Sequence, residues 1–376
     1  MRFTLFLALG ATAAAANQHS YLTWLADTFI DKGVKSDFGY QDAVLYLGFQ
    51  KAYELTSDER YFDWYKNQID GDVVLEDGSI NKWNYSRYVL DEYRMGNNYL
   101  YLYEQTGEDK YRSAAGVVRH MLNVYPRSPS GAFWHQQFFP NQMWLDGLYM
   151  AETFYARWTH HFDRLNVTAW DDILRQYSLI ETHAHHPDGS GLLVHGWADG
   201  YAPWADPATG RAPHVWGRAV GWYFMSLVEV LGYFPLWHPG YWRLLRAYTS
   251  LARAVKAARD RETGSWWQVM EEENRAREGN FVEASASAMF TWGMFRGVRL
   301  GLLSGREFLG TARDAYGSLV DNFVSVGEDG GLVYEGTVDE CNLANGDVNW
   351  DLLVLHQSSD CVKSPEWLRA VYVGVV

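Results

Sequence analysis

Two aspartates stand in settings where a carboxylate could do chemistry, and Asp146 is the more unusual of them. It lies in the segment NQMWLDGLYM (141–150), which is apolar on nearly every side if the segment is a helix. An unpaired buried charge is costly, so such an acid is usually absent, partnered or functional. Burial is expected to raise its pKa and to make it a proton donor at moderate pH. The alternative is a structural acid bonded to a backbone amide or an arginine.

The second carboxylate, Asp91, lies in YVLDEYRMGNNYLYLYEQTG, where an apolar-periodic helix begins. An acid at a helix N-cap or in the first turn is favoured by the free backbone N–H groups and by the helix dipole, which explains Asp91 without a functional role. A second acid would also complete the carboxylate pair that most sugar-cleaving enzymes use. Both interpretations of Asp91 remain open at this point.

A third cluster combines a cation with aromatic rings. A turn-rich loop delivers His195, and the helix that follows opens with Trp216, Arg218 and Trp222. Arg218 and Trp222 are four residues apart and share one helix face. A guanidinium suits a carboxylate and an indole suits a flat ring, so the pair fits an anionic ring compound. The alternative is that Arg218 pairs with a structural acid while the tryptophans pack in the core.

Other polar residues carry weaker signals. His135 immediately precedes the Asp146 segment, whereas Glu283 is expected to be structural. A histidine-rich loop resembles a metal site, but no carboxylate or cysteine stands at a known ligand spacing, and we predict a solvated loop for His183, His185 and His186. The motifs GxSxG, HExxH and the P-loop are all missing from the sequence.

The elements that position these residues are predicted to be helical hairpins. Five segments share the end of an amphipathic helix, a short polar turn and a second helix, at a spacing of roughly 50 to 70 residues. The second helices are predicted to start near Tyr61, Tyr111, Ala169, Tyr241 and Phe308. Strand-like pieces are short, namely GLLVHGW (191–197) and GGLVYEG (330–336). The pattern predicts an all-α fold, a closed ring of helical hairpins, with a superhelical solenoid as the alternative.

The composition limits the partners. Of 376 residues, 48% are hydrophobic and 16% are aromatic, which suits either sugar contact or an aromatic-rich helical core. The formal charge of −14 disfavours nucleic acid and anionic membranes as partners. The two cysteines, Cys341 and Cys361, can pair in an oxidising compartment and would then staple only the C-terminal tail.

The N-terminus MRFTLFLALGATAAAANQ has the pattern of a secretory signal peptide, with cleavage predicted after Ala16. We therefore expect residues 1–16 to be a signal peptide, residues 17–376 to form one domain, and the mature chain to be secreted without a membrane anchor. Asn84 and Asn166 stand in N-glycosylation sequons, which agrees with export.

Several blocks together resemble glycoside hydrolase family 105, the unsaturated rhamnogalacturonyl hydrolases, which are related to the unsaturated glucuronyl hydrolases of family 88. The blocks are NQMWLDGLYM, VHGWAD, PHVWGRAVGWY, NFVEASASAM and the TGExxY-like hairpins, and the resemblance runs from about residue 38 to 337. It implies an (α/α)6 barrel without a metal or organic cofactor. It also implies an oligosaccharide substrate with a 4,5-unsaturated uronic acid at the non-reducing end. We expect a monomer.

Residue by residue, the resemblance makes Asp146 the general acid/base and Asp91 its essential partner. It assigns binding of the unsaturated uronate to His195, Arg218 and Trp222, and lining of the pocket to His135, Trp144 and Trp216. The segment after GLVYEGTV departs from the usual family ending.

Four other functions compete with release of an unsaturated rhamnogalacturonyl unit, which would belong to pectin degradation. The substrate could be an unsaturated glucuronyl product of another polymer. The same barrel could carry an ordinary inverting glycosidase or a polysaccharide lyase. The last alternative is a sugar-binding protein with a dead site, which would require the loss of one of the two acids, and both are present.

Overall fold

The computed structural model describes residues 20–34, 37–337 and 343, and these residues are mostly helical. If α6, a π-helical turn (Leu148–Glu152) and α7 are taken as one helix, eleven helices lie in the described part of the chain. The helices are α1 (Tyr21–Lys32), α2 (Tyr40–Thr56), α3 (Glu59–Asp72), α4 (Gly96–Thr106), α5 (Asp109–Val124), α6 (Leu145–Gly147), α7 (Thr153–Phe162), α8 (Val167–His183), α9 (Gly217–Tyr233), α10 (Gly240–Ala257), α11 (Ala284–Arg299) and α12 (Gly305–Phe323).

The helices form two layers, which the burial pattern separates. Every residue of α9 from 217 to 228 is buried, as expected of a helix that is enclosed on all sides. Its partner α10 buries one stripe, Leu244, Tyr248, Leu251 and Val255, at spacings of three and four residues. The inner helices α2, α4, α7, α9 and α11 alternate along the chain with the outer helices α3, α5, α8, α10 and α12. This alternation is the helical barrel that the sequence predicted.

The hairpin turns explain why the predicted starts of the second helices were nearly right. After α2, Ser57 takes the left-handed conformation with φ 57°, and the Asp58 side chain caps α3 by accepting from the Arg60 N–H. After α4, Gly107 has φ 72° and allows the chain to reverse. The outer helices begin one to three residues before the predicted positions, at Glu59, Asp109, Val167, Gly240 and Gly305.

Two short antiparallel ribbons complete the described structure. The strands β1 (Gln142–Trp144) and β2 (Gly196–Ala198) pair with each other, as do β3 (Val324–Val326) and β4 (Leu332–Tyr334). The condition under which Asp146 was considered, that residues 141–150 are helical, therefore holds only from Leu145 onward. The backbone of β1 pairs with β2, so the helix begins only at Leu145. The strand-like piece 330–336 is confirmed over three residues, and the piece 191–197 over its last two, since β2 begins at Gly196.

The β3–β4 ribbon meets the first helix of the chain. The indole N–H of Trp24 donates to the Gly330 carbonyl at 3.0 Å, and the Leu332 N–H donates to the Thr28 hydroxyl at 3.1 Å. Two ends of the described chain are thereby joined on the outside of the barrel. The predicted signal peptide, Cys341 and Cys361 lie outside the described residues, as does the atypical segment after residue 337 except for Leu343. None of the described helices has the length and apolar character to cross a bilayer.

Candidate active site

The β1–β2 ribbon brings Asp146 and His195 together from positions 49 residues apart in the chain. Trp144 pairs with Gly196, and the Leu145 N–H donates to the His195 carbonyl at 3.0 Å. The next residue, Asp146, lies in the first turn of α6, and its Oδ2 is 3.1 Å from His195 Nε2. The strand pairing thus fixes the acid against the imidazole.

Close packing beneath Asp146 requires the glycine that follows it. A Cβ on Gly147 would lie 2.9 Å from a methyl group of Leu90 and 3.4 Å from His135 Nδ1. The π-helical turn begins one residue later, at Leu148. Such turns are rare and frequently occur at functional sites.

The electrostatics of Asp146 correct the prediction of a raised pKa. Its side chain is 20% exposed, and burial alone raises the pKa of its carboxyl. The charge and hydrogen bond of His195, together with the charge of His135, outweigh burial and hold the pKa below its usual value. The sequence suggested an acid in an apolar wall, whereas the folded chain supplies two imidazoles that favour the carboxylate.

Asp91 lies in a 3-10 turn (Leu90–Met95) that precedes α4. The predicted first-turn position is confirmed in that sense, but Asp91 does not cap α4, whose N-terminal flank is Met95. The Gln136 amide donates to Asp91 Oδ2 at 3.0 Å, and His135 Nε2 lies 3.9 Å from Asp91 Oδ1. Two consecutive residues of the 133–140 segment therefore face this carboxylate.

The cation and its aromatic neighbour share the start of α9, as their spacing predicted. Arg218 is 8% exposed, and its backbone N–H donates to the Gln268 side chain at 3.3 Å. Trp222 packs edge-on against Tyr40 at 5.9 Å between ring centroids and against Tyr149 at 4.7 Å. Because these rings hold the indole, the face of α9 that carries Arg218 and Trp222 is fixed.

A row of rings connects the remaining predicted residues. His135 stacks on Trp144 at 4.4 Å with an interplanar angle of 18°, and Trp144 meets His195 edge-on at 5.6 Å. His195 in turn lies parallel to Trp216 at 6.2 Å. Each of the four is no more than 4% exposed. These contacts link six of the eight residues proposed from the sequence, and the other two, Arg218 and Trp222, follow Trp216 on α9.

Tyr40 is a site residue that the sequence reasoning missed. Burial raises the pKa of its phenol to about 12, with Arg218 opposing and with Asp91 and Asp146 adding to the rise. A phenol within the field of all three groups belongs to the same site and stays protonated at neutral pH. The signal was available: Tyr40 is the first residue of α2, and the first residues of inner helices share one end of the barrel.

Glu283 has the structural role that was predicted for it, whereas the loop that was predicted to be solvated is so only in part, with the side chains of His185 and His186 43% and 13% exposed. Glu283 caps α11 by accepting from the Ala286 N–H, and it is fully buried. In the histidine-rich loop, His183 stacks on Trp197 at 4.1 Å, His185 lies 3.3 Å from Glu181, and His186 lies 3.0 Å from Asp188. Within residues 20–34 and 37–337, no three His, Cys, Asp or Glu side chains are grouped so as to hold a metal ion.

The arrangement combines an acid in contact with an imidazole, a second carboxylate, a guanidinium and flat aromatic faces. An acid–imidazole pair can donate a proton and take one back. A guanidinium can hold a carboxylate, and indole rings can cover an apolar sugar face. The site is therefore suited to proton transfer on a small ring compound that carries a carboxylate.

Comparison with known proteins gives a consistent picture. The model of Glycosyl Hydrolase Family 88 matches residues 15–350. A Bacillus subtilis protein, the unsaturated rhamnogalacturonyl hydrolase YesR, is 27% identical over 280 residues, which cover 71% of this chain and 73% of that protein.

Solved structures agree with the family match. A glycoside hydrolase of family 105 from C. acetobutylicum superposes with a TM-score of 0.84 at 30% identity, covering 95% of this chain and 99% of that one. The unsaturated glucuronyl hydrolase of Bacillus sp. GL1 superposes with a TM-score of 0.64 at 15% identity, covering 95% and 94%. The second likeness concerns the fold alone.

Proposed function

The chain belongs to glycosyl hydrolase family 88 and is related to family 105. We propose that it releases a 4,5-unsaturated uronic acid from lyase-generated oligosaccharides of the rhamnogalacturonan type. Hydrolases of this group act on unsaturated uronyl oligosaccharides. The similarity to YesR supports rhamnogalacturonan fragments as the source. A glucuronyl fragment of another polymer is the alternative substrate. The likeness in fold to a glucuronyl hydrolase is the reason to test it as well.

The substrate explains why an acid stands beside an imidazole. The C4=C5 bond next to the ring oxygen is a vinyl ether, so a proton added to C4 leaves a cation shared by C5 and the ring oxygen. Water then adds to C5 and gives up a proton, forming a hemiketal. The hemiketal opens to a C5 ketone, and the hemiacetal left at C1 expels the aglycone. One water is consumed and the added proton is returned.

The observation that carries the proposal is the 3.1 Å contact between Asp146 and His195 in the row of aromatic rings. In the proposed role, the pair holds the proton that Asp146 donates to C4. As a carboxylate, Asp146 then accepts a proton from the attacking water.

The lowered pKa of Asp146 is compatible with this role once substrate is considered. The uronate carboxylate brings a negative charge into the site and its ring displaces water. A nearby like charge and the loss of solvent both raise the pKa of a carboxyl. Binding of the substrate therefore favours the protonated acid at the moment when a proton is needed.

The other residues are proposed to hold the ring. The Arg218 guanidinium would bind the uronate carboxylate through paired N–H donors, and Trp222 would pack against the ring face. Tyr40, which remains a phenol, would donate a hydrogen bond to a ring hydroxyl. Asp91, which is fixed by Gln136, would accept from another hydroxyl and so set the position of C4 over Asp146.

The experiment is to mix the purified protein with lyase-digested rhamnogalacturonan and to follow the double-bond absorbance in the ultraviolet. We expect absorbance to fall and a keto uronic acid to appear. A folded protein that leaves the absorbance unchanged over many hours would refute the proposal.

The same assay separates the alternatives. A lyase would create absorbance from undigested polymer, and an ordinary glycosidase would release sugar from saturated oligosaccharides. A glucuronyl specificity would give faster loss of absorbance on unsaturated glucuronyl fragments than on rhamnogalacturonan fragments. A binding protein with a dead site would bind the oligosaccharide without changing it.

Export of the enzyme is also a proposal, which rests on the residue pattern of 1–16. Sequencing the mature N-terminus from culture medium should find Asn17 first. Mass spectrometry would test glycans on Asn84, which is exposed, and on Asn166, whose side chain caps α8.

A further inference from the structure

We propose that Glu152 is a positioning residue that, through one internal water, keeps the His135 proton on Nε2, the ring nitrogen that faces Asp91. The inference rests on the proposed function for its kinetic consequence, but the state of His135 can be measured independently. Glu152 ends the π-helical turn that follows Asp146 and belongs to none of the roles described above.

A small cavity adjoins both side chains. Its volume is about 10 Å³, which is on the scale of a single water molecule. His135, Glu152 and Gln176 supply its polar lining, and apolar residues such as Leu148 supply the rest. Gln176 is already engaged, because its amide donates to the Gly131 carbonyl and its oxygen accepts from the Phe133 N–H. His135 and Glu152 are therefore the side chains left to bind a water there.

One ring nitrogen of His135, Nδ1, needs a hydrogen-bond partner on the side of the cavity. Its Nδ1 is buried and has no hydrogen-bond partner among the described residues, whereas its Nε2 points to Asp91 at 3.9 Å. A buried polar atom left unpaired costs about 1–3 kcal/mol. A 180° turn of the ring would keep the stack on Trp144 but would put a carbon in place of Nε2 on the side of Asp91. A water in the cavity would satisfy Nδ1 in place.

Glu152 is suited to donate a proton to the water from the side opposite His135. It is 1% exposed, and no cation pairs with its carboxyl in the described part of the chain. Burial and the charge of Asp172 raise its pKa well above the usual value, and Arg127 opposes this only partly, being held by Asp172 at 2.7 Å. A neutral carboxyl donates its proton to the water, and the water donates to His135 Nδ1. An Nδ1 that accepts leaves the ring proton on Nε2.

The consequence for the site follows from the charges that face His135. A neutral His135 with its proton on Nε2 points that N–H toward the Asp91 carboxylate across 3.9 Å. It also removes one of the positive charges that lower the pKa of Asp146. A second proton on His135 would make Asp146 a poorer proton donor. Glu152 would thus act on the reaction through His135, without touching the substrate.

Two substitutions at one position test the inference. Glu152→Gln keeps the shape and a donor N–H, so we expect kcat and KM within about twofold of the wild type. Glu152→Met keeps the length but removes the donor, so kcat should fall about tenfold with little change in KM, since the substrate contacts remain. Leu148→Met, which changes the cavity wall without a polar group, is the matched control and should behave as wild type.

The tautomer itself is read from the nitrogen-15 shifts of labelled His135, which report protonation at each ring nitrogen. We expect Nε2–H with an accepting Nδ1 in the wild type and in Glu152→Gln, and loss of that preference in Glu152→Met. If Glu152→Met does not fold, the wild-type and Glu152→Gln spectra still decide the matter.

Three outcomes would overturn the inference. They are a wild-type His135 that is protonated on Nδ1, equal loss of activity in both Glu152 variants, and unchanged activity in Glu152→Met. If the wild type has no activity on unsaturated oligosaccharides, the proposed function fails. The nitrogen shifts still test the role of Glu152 in that case.

Discussion

The carboxylates at the two ends of the barrel pair with different kinds of residue. At the N-terminal ends of the inner helices, Asp146 meets an imidazole, that of His195. Past the layer formed by Tyr149 and Trp222, a cavity of about 420 Å³ opens at the other end, where arginines meet carboxylates directly. Arg94 is 3% exposed, contacts Glu229 through both terminal nitrogens at 2.9 and 3.2 Å, and lies 3.9 Å over the Tyr149 ring.

The difference separates charges that hold the fold from charges that can react. An arginine–carboxylate pair with several hydrogen bonds has a fixed protonation state, and removing one partner leaves an uncompensated buried charge. In an acid–imidazole pair either member can carry the shared proton, so the pair can give up a proton and take one back. The number of buried charged side chains in a region would not identify the active site of this chain. The residue type that pairs with each carboxylate does identify it.

The largest effect is expected from Asp146→Asn. The amide keeps the shape and the contact with His195 but cannot donate the proton, so kcat should fall about 10²–10⁴-fold. The loss of double-bond absorbance measures the rate, and circular dichroism should be unchanged. Substantial remaining activity would remove Asp146 from the acid/base role and weaken the contrast between the two ends.

At the other end, Arg94→Met should reduce the free energy of unfolding by about 1.5–3 kcal/mol, because Glu229, whose side chain is 17% exposed, loses its charged hydrogen-bond partner. Urea unfolding at neutral pH measures the change. Adding Glu229→Leu should recover part of the loss, since both charges are then gone. A loss below about 1 kcal/mol would mean that this pair does not hold the fold.

Arg218→Met should act on binding, so KM should rise about 10–100-fold, in line with about 1.5–3 kcal/mol for a hydrogen bond to a charged group. Its effect on unfolding should be smaller than that of Arg94→Met. Arg218→Lys keeps the charge but loses the planar pair of donors, and we expect an intermediate KM. A KM that stays at the wild-type value would argue against a carboxylate at Arg218.

The smallest effect concerns pH. Burial raises the pKa of Glu104, but hydrogen bonds and charges from His161 and Arg157 outweigh it and hold the pKa at about 2. A carboxyl whose pKa is lower in the folded chain than in the unfolded chain stabilises the fold at pH values above its unfolded-state pKa. This stability is lost as the pH falls toward the folded-state pKa. Unfolding free energy should therefore decline from about pH 4.5 to about pH 2. Glu104→Gln should flatten the decline in this window, and an unchanged slope would contradict the assignment.

Much of the fold could be predicted because its signals are local. Three-to-four spacing of apolar residues marks the stripe of α10, and polar turns around Ser57 and Gly107 mark the hairpin ends. The helical face shared by Arg218 and Trp222 needs no more than their separation of four residues. These features depend on neighbours within one or two turns, which the sequence displays directly.

The predictions that needed correction depend on distant residues. Trp144 belongs to a strand and not to a helix because Gly196 pairs with it. The pKa of Asp146 is lowered and not raised because folding brings His195 and His135 against it. Tyr40 was missed because only the closed ring of helices places it among Arg218, Asp91 and Asp146.

The amino-acid sequence by itself determined the helical hairpins, the aromatic richness and the residue types of the site, since periodicity and side-chain chemistry are carried by the chain. Only the tertiary structure decided which imidazole meets Asp146 and which cavity adjoins His135. The reason is physical: a pKa or a hydrogen bond depends on distance and burial, and residues 49 positions apart acquire both only when the barrel folds.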